Sequence, residues 1–291
     1  MKHILFVGGT GHIGSYLEKK LKYKNIKFIG TKDCDLTSIN SIEKYFKNSI
    51  KVDTLVFLVG LAHNKGKRKD FNKFNSINYV TLCNLLSFLE KKNNFPKKII
   101  YSSTVSVYGE NYYKDKFDEM SSTNPFSPYA ITKLKAEKFL IKNYTSYTWI
   151  MRFAPVYSEE FLLNINRRTK IKNLFFQVSN GLNKLSLCNL FNIKVAIEGV
   201  IDDFIPAGVY NISDNIVYSY KDLLKLDKVS FVIRIPRFFI KTLYFYGKLF
   251  NNIFLKENTI KLLSDNIYPS DKIRDFIELP ENLHNIETYS D

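Results

Sequence analysis

The chain has 291 residues, 45% hydrophobic and 24% charged, with 43 Lys and Arg against 28 Asp and Glu for a formal net charge of +15. That balance belongs to a globular protein with room for one or two domains and excludes a disordered or disulfide-dense chain. Cys34, Cys83 and Cys188 are odd in number, far apart and outside any ligand spacing, so no disulfide framework and no metal site are expected, and a reducing, cytoplasmic setting is.

No stretch reaches the roughly 18 uncharged apolar residues of a spanning helix, and residues 4–7 are too short for a signal core. The lysines are scattered among Asn and Ile, so the charge reads as lysine-rich composition. No nucleic-acid partner is expected, while an anionic small substrate suits the same charge.

In chain order, residues 4–7 read as a strand, 15–23 as a helix, 26–30 as a strand, 41–47 as a helix and 54–59 as a strand. A helix over 75–90, a strand over 98–102, a helix over 129–142 and a strand over 148–153 follow. The strands are short and apolar on both faces, as buried parallel strands are when helical crossovers join them. The predicted fold class is α/β: a Rossmann-type doubly wound parallel sheet over 1–157 and a smaller C-terminal lobe, mainly 158–291, with a return to the sheet near 186–218. Within the second part, "GVYNISD" at 208–214 is strand-like and "SYKDLLKL" at 219–226 helical. The most apolar segment, 231–255, is punctuated by Arg234, Arg237, Lys241 and Lys248. A helix packed within the lobe, begun by Pro236, is favoured there over a basic amphipathic helix on a membrane surface.

The run "ILFVGGTGHIGSYL", residues 4–17, sets Gly8, Gly11 and Gly14 between a strand and a helix. In a phosphate-binding βα turn the first glycine permits the turn, the second admits a pyrophosphate to the backbone, and the third lets helix and strand pack closely. The amides that open the helix, at His12, Ile13 and Gly14, then face the anion. A plain glycine-rich turn is the alternative. At the end of the second strand, "FIGTKDCDL" offers Thr31 and Lys32 where an NAD site commonly has an acid. A hydroxyl and an ammonium suit a 2′-phosphate, which favours NADP(H) over NAD(H). Asp35 and Leu36 stand where an adenine contact is expected.

"SPYAITKLKAEKFL" opens on Ser127, a good N-cap, and Pro128, a good first helical residue. Tyr129 and Lys133 are then one turn apart on one face. A nearby ammonium favours the phenolate, so the pair predicts a tyrosine whose pKa is lowered for proton exchange. Upstream, "KIIYSSTVSVYGE", residues 98–110, is a strand ending in Ser102, Ser103 and Thr104. Ligands in open α/β sheets lie at such strand ends.

Glycine turn, strand-end hydroxyls and YxxxK in this order resemble the extended short-chain dehydrogenase/reductase family, in its nucleotide-sugar epimerase/dehydratase branch. The resemblance is clear over about the first 160 residues. It implies Tyr129 as proton donor or acceptor, Lys133 as its partner and ribose ligand, and Thr104 as the hydroxyl that holds the sugar oxygen. It further implies substrate contacts from Ser103 and from Asn78 in "NYVTLCNLL". "RFAPVY", 152–157, with Pro155, is similar to the segment passing the nicotinamide, although Ser158 replaces the usual glycine. "NKLSL", with Asn183 and Lys184, is similar to a segment that contacts the nucleotide diphosphate. A homodimer through helices like 75–90 and 129–142 is also implied.

Family dehydratases carry an Asp-Glu pair after the threonine; here Val105 and Ser106 stand there, which disfavours dehydration and decarboxylation. No cysteine stands directly after Ser103 and the nearest downstream histidine is His284, which disfavours 3,5-epimerisation. An NADPH-dependent 4-keto-sugar reductase in surface-glycan precursor synthesis is the leading expectation, with an NAD-dependent 4-epimerase second. A cofactor-binding sensor without catalysis is the reading from another class. His63 and Lys65 read as solvated loop residues near the substrate mouth.

Overall fold

The computed structural model describes residues 2–47, 51–62, 70–109, 114–172, 174–226 and 231–287. His63 and Lys65 lie outside the described residues. The chain divides into two compact units. The first is built from residues up to 107, from 127–152 and from 196–210; the second from 108–126, 153–195 and 211 onward. Compared with a division at 157, the stretch 108–126 joins the second unit and the return narrows to 196–210. The second unit, expected as the smaller, is close to the first in length.

In the first unit β1 (Ile4–Val7), α1 (His12–Lys20), β2 (Ile26–Ile29), α2 (Ile39–Tyr45) and β3 (Thr54–Phe57) alternate as the periodicity requires. They are followed by α3 (Phe71–Asn75), α4 (Thr81–Lys91), β4 (Lys98–Thr104), α5 (Pro128–Tyr144) and β5 (Thr148–Phe153). Then α6 (Leu190–Ile201) leads to β6 (Gly208–Ile212). The six-stranded sheet has the order β6-β5-β4-β3-β1-β2, with β1 parallel to both β2 and β3, and β3 parallel to β4.

Leu5, Leu55 and Ile99 are in register across three strands and pack in one core cluster with Leu82, Leu85 and Leu86 of α4 and Leu140 of α5. Each such side chain contributes about 1.5–3 kcal/mol by leaving water, which is why these strands read as unbroken apolar runs.

The register also positions chemistry. Val7, Ile29 and Phe57 end their strands level with one another, and Phe57 pairs with Tyr101. Strand β4 therefore runs three residues further, carrying Ser102, Ser103 and Thr104 past its neighbour. The strand order reverses between β1 and β3, the switch point at which open α/β sheets form a ligand crevice.

The single helix expected over 75–90 is two α-helical pieces joined by a π-helical turn, Ser76–Val80. Such turns are frequent at functional sites. The return segment is fixed by Asp203, whose carboxylate meets the ammonium groups of Lys2 at 2.7 Å and Lys98 at 2.6 Å.

The second unit is organised around Asp214. One carboxylate oxygen accepts from the Asn189 amide and Asn192 Nδ2, the other from the hydroxyls of Tyr157 and Tyr218. Burial pushes this carboxyl up to about 6, against the pull of those donors. Near the C-terminus α7 (Arg237–Leu249) is followed by α8 (Ile253–Leu263). Pro236 is the N-cap of α7, which packs within this unit as expected through Ile240 and Tyr244 against Phe176, Val178 and Leu263, although of its residues only Ile240 and Gly247 are buried.

Candidate active site

The glycine turn is shaped by close approach. Gly8 has φ +91, and a Cβ there would stand 2.9 Å from the Val59 amide nitrogen. At Gly14 a Cβ would lie 2.5 Å from the Gly8 carbonyl oxygen and 2.6 Å from Gly9. Only glycine lets α1 begin against the turn. Gly11 caps α1 with no side chain to bond its first amides, and no acidic residue sits in the first turn. The helix start, His12 and Ile13 onward, thus offers its positive end without a competing carboxylate.

After β2, Thr31, Lys32 and Asp33 are all exposed. Asp33, which the sequence reading passed over, accepts from the Gly30 amide at 2.8 Å. Of the pair expected beside the adenine, Leu36 has its side chain in the sheet core. Asp35 holds the amide and hydroxyl of Thr37, at 2.9 and 2.7 Å, and these bonds keep its carboxyl below the usual range.

Helix α5 starts as predicted, with the Ser127 hydroxyl accepting from the Ala130 amide and Pro128 in the first turn. Tyr129 is half-buried, and its hydroxyl is hydrogen-bonded with Thr104, which also accepts from the Ser106 amide at 3.2 Å. Lys133 is buried one turn on and donates to the carbonyls of Ser102 at 2.8 Å and Val59 at 3.0 Å. Its ammonium therefore bridges the ends of β3 and β4, 4.8 Å from the Tyr101 ring centroid.

The expected lowering of the tyrosine pKa is corrected by this geometry. Burial pushes Tyr129 up to about 12 and the Thr104 hydrogen bond only partly offsets it. Burial likewise pulls Lys133 down to about 7, with Glu137 acting the other way. Both groups are held toward their neutral forms by burial.

Two predicted substrate contacts are turned elsewhere. The Ser103 hydroxyl bonds Glu137, which is fully buried and receives Arg152 through Nε at 3.1 Å and Nη2 at 2.7 Å. Asn78, inside the π-helical turn, accepts from the Leu61 amide at 2.6 Å and donates to Thr132 Oγ1 at 3.0 Å. It is fully buried, and its amide ties the loop after β3 to α5.

Gly60 and Glu137 escaped sequence reading. A Cβ at Gly60 would meet Lys133 Nζ at 3.2 Å, and nothing in the string announces that neighbour. Glu137 could have been found, being one turn beyond Lys133. Pro155, Asn183 and Lys184 belong to the second unit. There the Pro155 carbonyl accepts from the Cys188 amide, the Asn183 carbonyl from the Tyr220 amide, and the Lys184 amide donates to Asp265.

A glycine turn at the end of β1, hydroxyls extended past β3 and a half-buried tyrosine with a buried lysine one turn on define a Rossmann-type enzyme site of the short-chain dehydrogenase kind. Residues 4–191 match the NAD dependent epimerase/dehydratase family, well over half of the chain, and the protein belongs to that family. A dTDP-D-glucose 4,6-dehydratase of Dictyostelium discoideum is 31% identical over 181 residues, 50% of this chain and 41% of that protein. The match thus spans less than half of that relative's length. The human dTDP-D-glucose 4,6-dehydratase is 26% identical over 78% of this chain and 74% of its own. Among solved structures, the UDP-Glc/GlcNAc 4-epimerase of Campylobacter jejuni superposes with a TM-score of 0.75 at 18% identity, covering 99% of this chain and 96% of the epimerase. A dTDP-4-dehydrorhamnose reductase of Bacillus anthracis, in complex with NADP, gives 0.72 at 17%, covering 99% of both chains.

Proposed function

We propose that this protein is an NAD(P)-dependent oxidoreductase of nucleotide-linked sugars, and specifically a reductase of a 4-keto sugar that uses NADPH. The observation that carries the reading is the Tyr129 hydroxyl, hydrogen-bonded with Thr104 at the extended end of β4. A phenol at that strand end can give a proton to the oxygen of a ketone as its carbon receives hydride.

The glycine turn fits a dinucleotide: Gly8 and Gly14 let the backbone of the turn, α1 and the loop after β3 pack closely, while at Gly11 a Cβ would meet only the Gly8 carbonyl oxygen, at 3.4 Å, which leaves that side open for a pyrophosphate to reach the backbone. Gly8, Gly11, His12, Ile13 and Gly14 would hold it, with Lys133 toward a ribose, Thr31 and Lys32 toward a 2′-phosphate, and Pro155 beside the nicotinamide. When bound, such a cofactor supplies the hydride. Tyr129 would protonate the sugar oxygen that Thr104 positions, and the phenolate left behind would take its proton back from solvent, with Lys133 one helical turn away as its partner. Asn183 and Lys184 would contact the nucleotide diphosphate. Val105 is buried and Ser106 carries no carboxyl, so the elimination chemistry of a dehydratase lacks its acid and base here.

Asp33 favours a second reading. An acid in the loop after β2 suits an unphosphorylated ribose, and with NAD the same site would serve a 4-epimerase. The discriminating experiment follows NADPH, and NADH in parallel, against dTDP-, UDP- and GDP-linked 4-keto-6-deoxy sugars. Stoichiometric consumption with one of them supports the reductase. Interconversion of C4 epimers with co-purifying NAD and no net consumption supports the epimerase, and dinucleotide binding without either reaction overturns both in favour of a sensor.

A further inference from the structure

Helix α7 leaves more apolar surface in water than its fold explains. One stripe holds it down: Ile240 and Tyr244 pack on Phe176, Val178 and Leu263, and a Cβ on Gly247 would lie 2.9 Å from the Lys256 amide nitrogen of α8. A second stripe, Phe238, Phe245 and Leu249, is 61%, 62% and 79% exposed. Phe239, Tyr246 and Phe250 widen it, each more than half exposed. Scattered apolar residues need no explanation, but a continuous run rimmed by charge marks an interaction surface.

The charge is ordered too. Arg237, Lys241 and Lys248 recur at spacings of four and seven, which at 3.6 residues per turn sets them in one line between the packed stripe and the aromatic one. Arg234 precedes them, all four are exposed, and residues 231–255 contain no Asp or Glu. Aromatic rings flanked by cations on long stems are what a helix lying in a bilayer interface presents: rings below the headgroups, charges at the phosphates.

We infer that α7 seats this protein on an anionic lipid surface, with Phe238, Phe245 and Leu249 inserted and Arg234, Lys241 and Lys248 against lipid phosphates, while Arg237 is held by the Leu263 carbonyl. Charge complementarity selects the occupant. A second copy, itself at +15, would set basic stripe against basic stripe, whereas an anionic leaflet attracts both the helix and the chain behind it. The contact is peripheral, since no described helix is long and apolar enough to cross a membrane.

The test is co-sedimentation of the full chain with phosphatidylcholine vesicles, with and without phosphatidylglycerol, at low and high salt. Binding is expected only with the anionic lipid and is expected to weaken as salt screens it. Lys241→Gln with Lys248→Gln should lower the partition coefficient about 25-fold, about fivefold for each charge near the surface. Phe238→Ser with Phe245→Ser should lower it as well, at both salt concentrations, while melting temperatures stay within a few degrees because these side chains are exposed. No binding, or equal binding to both vesicles, overturns the proposal. It is equally overturned if the phenylalanine variant converts a dimer to a monomer and leaves vesicle binding intact, which would make the face a self-association surface.

Discussion

The buried ammonium of Lys133 makes a sharp prediction about stability and pH. Its folded pKa is pulled from 10.5 down to about 7 by burial, with Glu137 opposing. Above pH 7 the folded lysine is increasingly neutral while the unfolded one stays protonated until it reaches its ordinary value. The unfolded state therefore binds more protons, and stability rises with pH across that window. It is lowest below pH 7, where a charged ammonium must be kept in the interior. Integrated with these two pKa values, the gain from this group alone is about 2 kcal/mol between about pH 7.5 and 9.

Other groups titrate there as well. Burial raises Cys34, Cys83 and Cys188, which makes their contribution fall as pH rises, so wild type alone is not diagnostic. Lys133→Met removes the ammonium and keeps the volume. The variant forfeits hydrogen bonds to Val59 and Ser102, but that loss does not depend on pH. Urea unfolding of both proteins, without added cofactor, at several pH values in this range should show wild type gaining about 2 kcal/mol relative to the variant. Parallel stability curves would refute the reasoning and mean that the ammonium stays charged among its carbonyls.

Three further outcomes are expected. Tyr129→Phe should lower turnover about a hundred-fold or more while dinucleotide affinity, measured by fluorescence titration, is retained; weak cofactor binding instead would mean that the hydroxyl serves binding. Lys32→Ala should weaken NADPH far more than NADH, and Asp33→Asn the reverse; equal losses in both would remove the 2′-phosphate argument. Tyr218→Phe should cost about 1–3 kcal/mol in chemical unfolding, because the buried Leu283 amide loses its acceptor and Asp214 one donor; an unchanged midpoint would show that water replaces the hydroxyl.

The alternation of strands and helices was legible because the inner strands β1, β3 and β5 are buried on both faces and so keep their apolar runs. Val7, Ile29 and Phe57 end where their runs end. The turn glycines were legible for a different reason: the positive φ at Gly8 and the 2.5 Å approach at Gly14 are demands that only one residue type meets. Ser127 and Pro128 announced α5, and the helical period then set Lys133 one turn from Tyr129. All of these are local signals, readable within a dozen residues.

What escaped was the direction in which side chains are spent across the sheet. The string shows a lysine four residues from a tyrosine, and an ammonium that lowers a phenol's pKa is the natural inference. Only the register of β3 and β4 reveals that the carbonyls of Val59 and Ser102 are nearer claimants, with Gly60 clearing the space. The same holds for Ser103, drawn to Glu137 and Arg152, and for Asn78, consumed by Leu61 and Thr132. Helix α7 shows the limit from the other side: its apolar period is identical whether the aromatic stripe meets a neighbour or water. A sequence pattern states which face can be buried, and the partner that buries it, a core, a second chain or a lipid surface, is decided by charge and by what the rest of the fold leaves within reach.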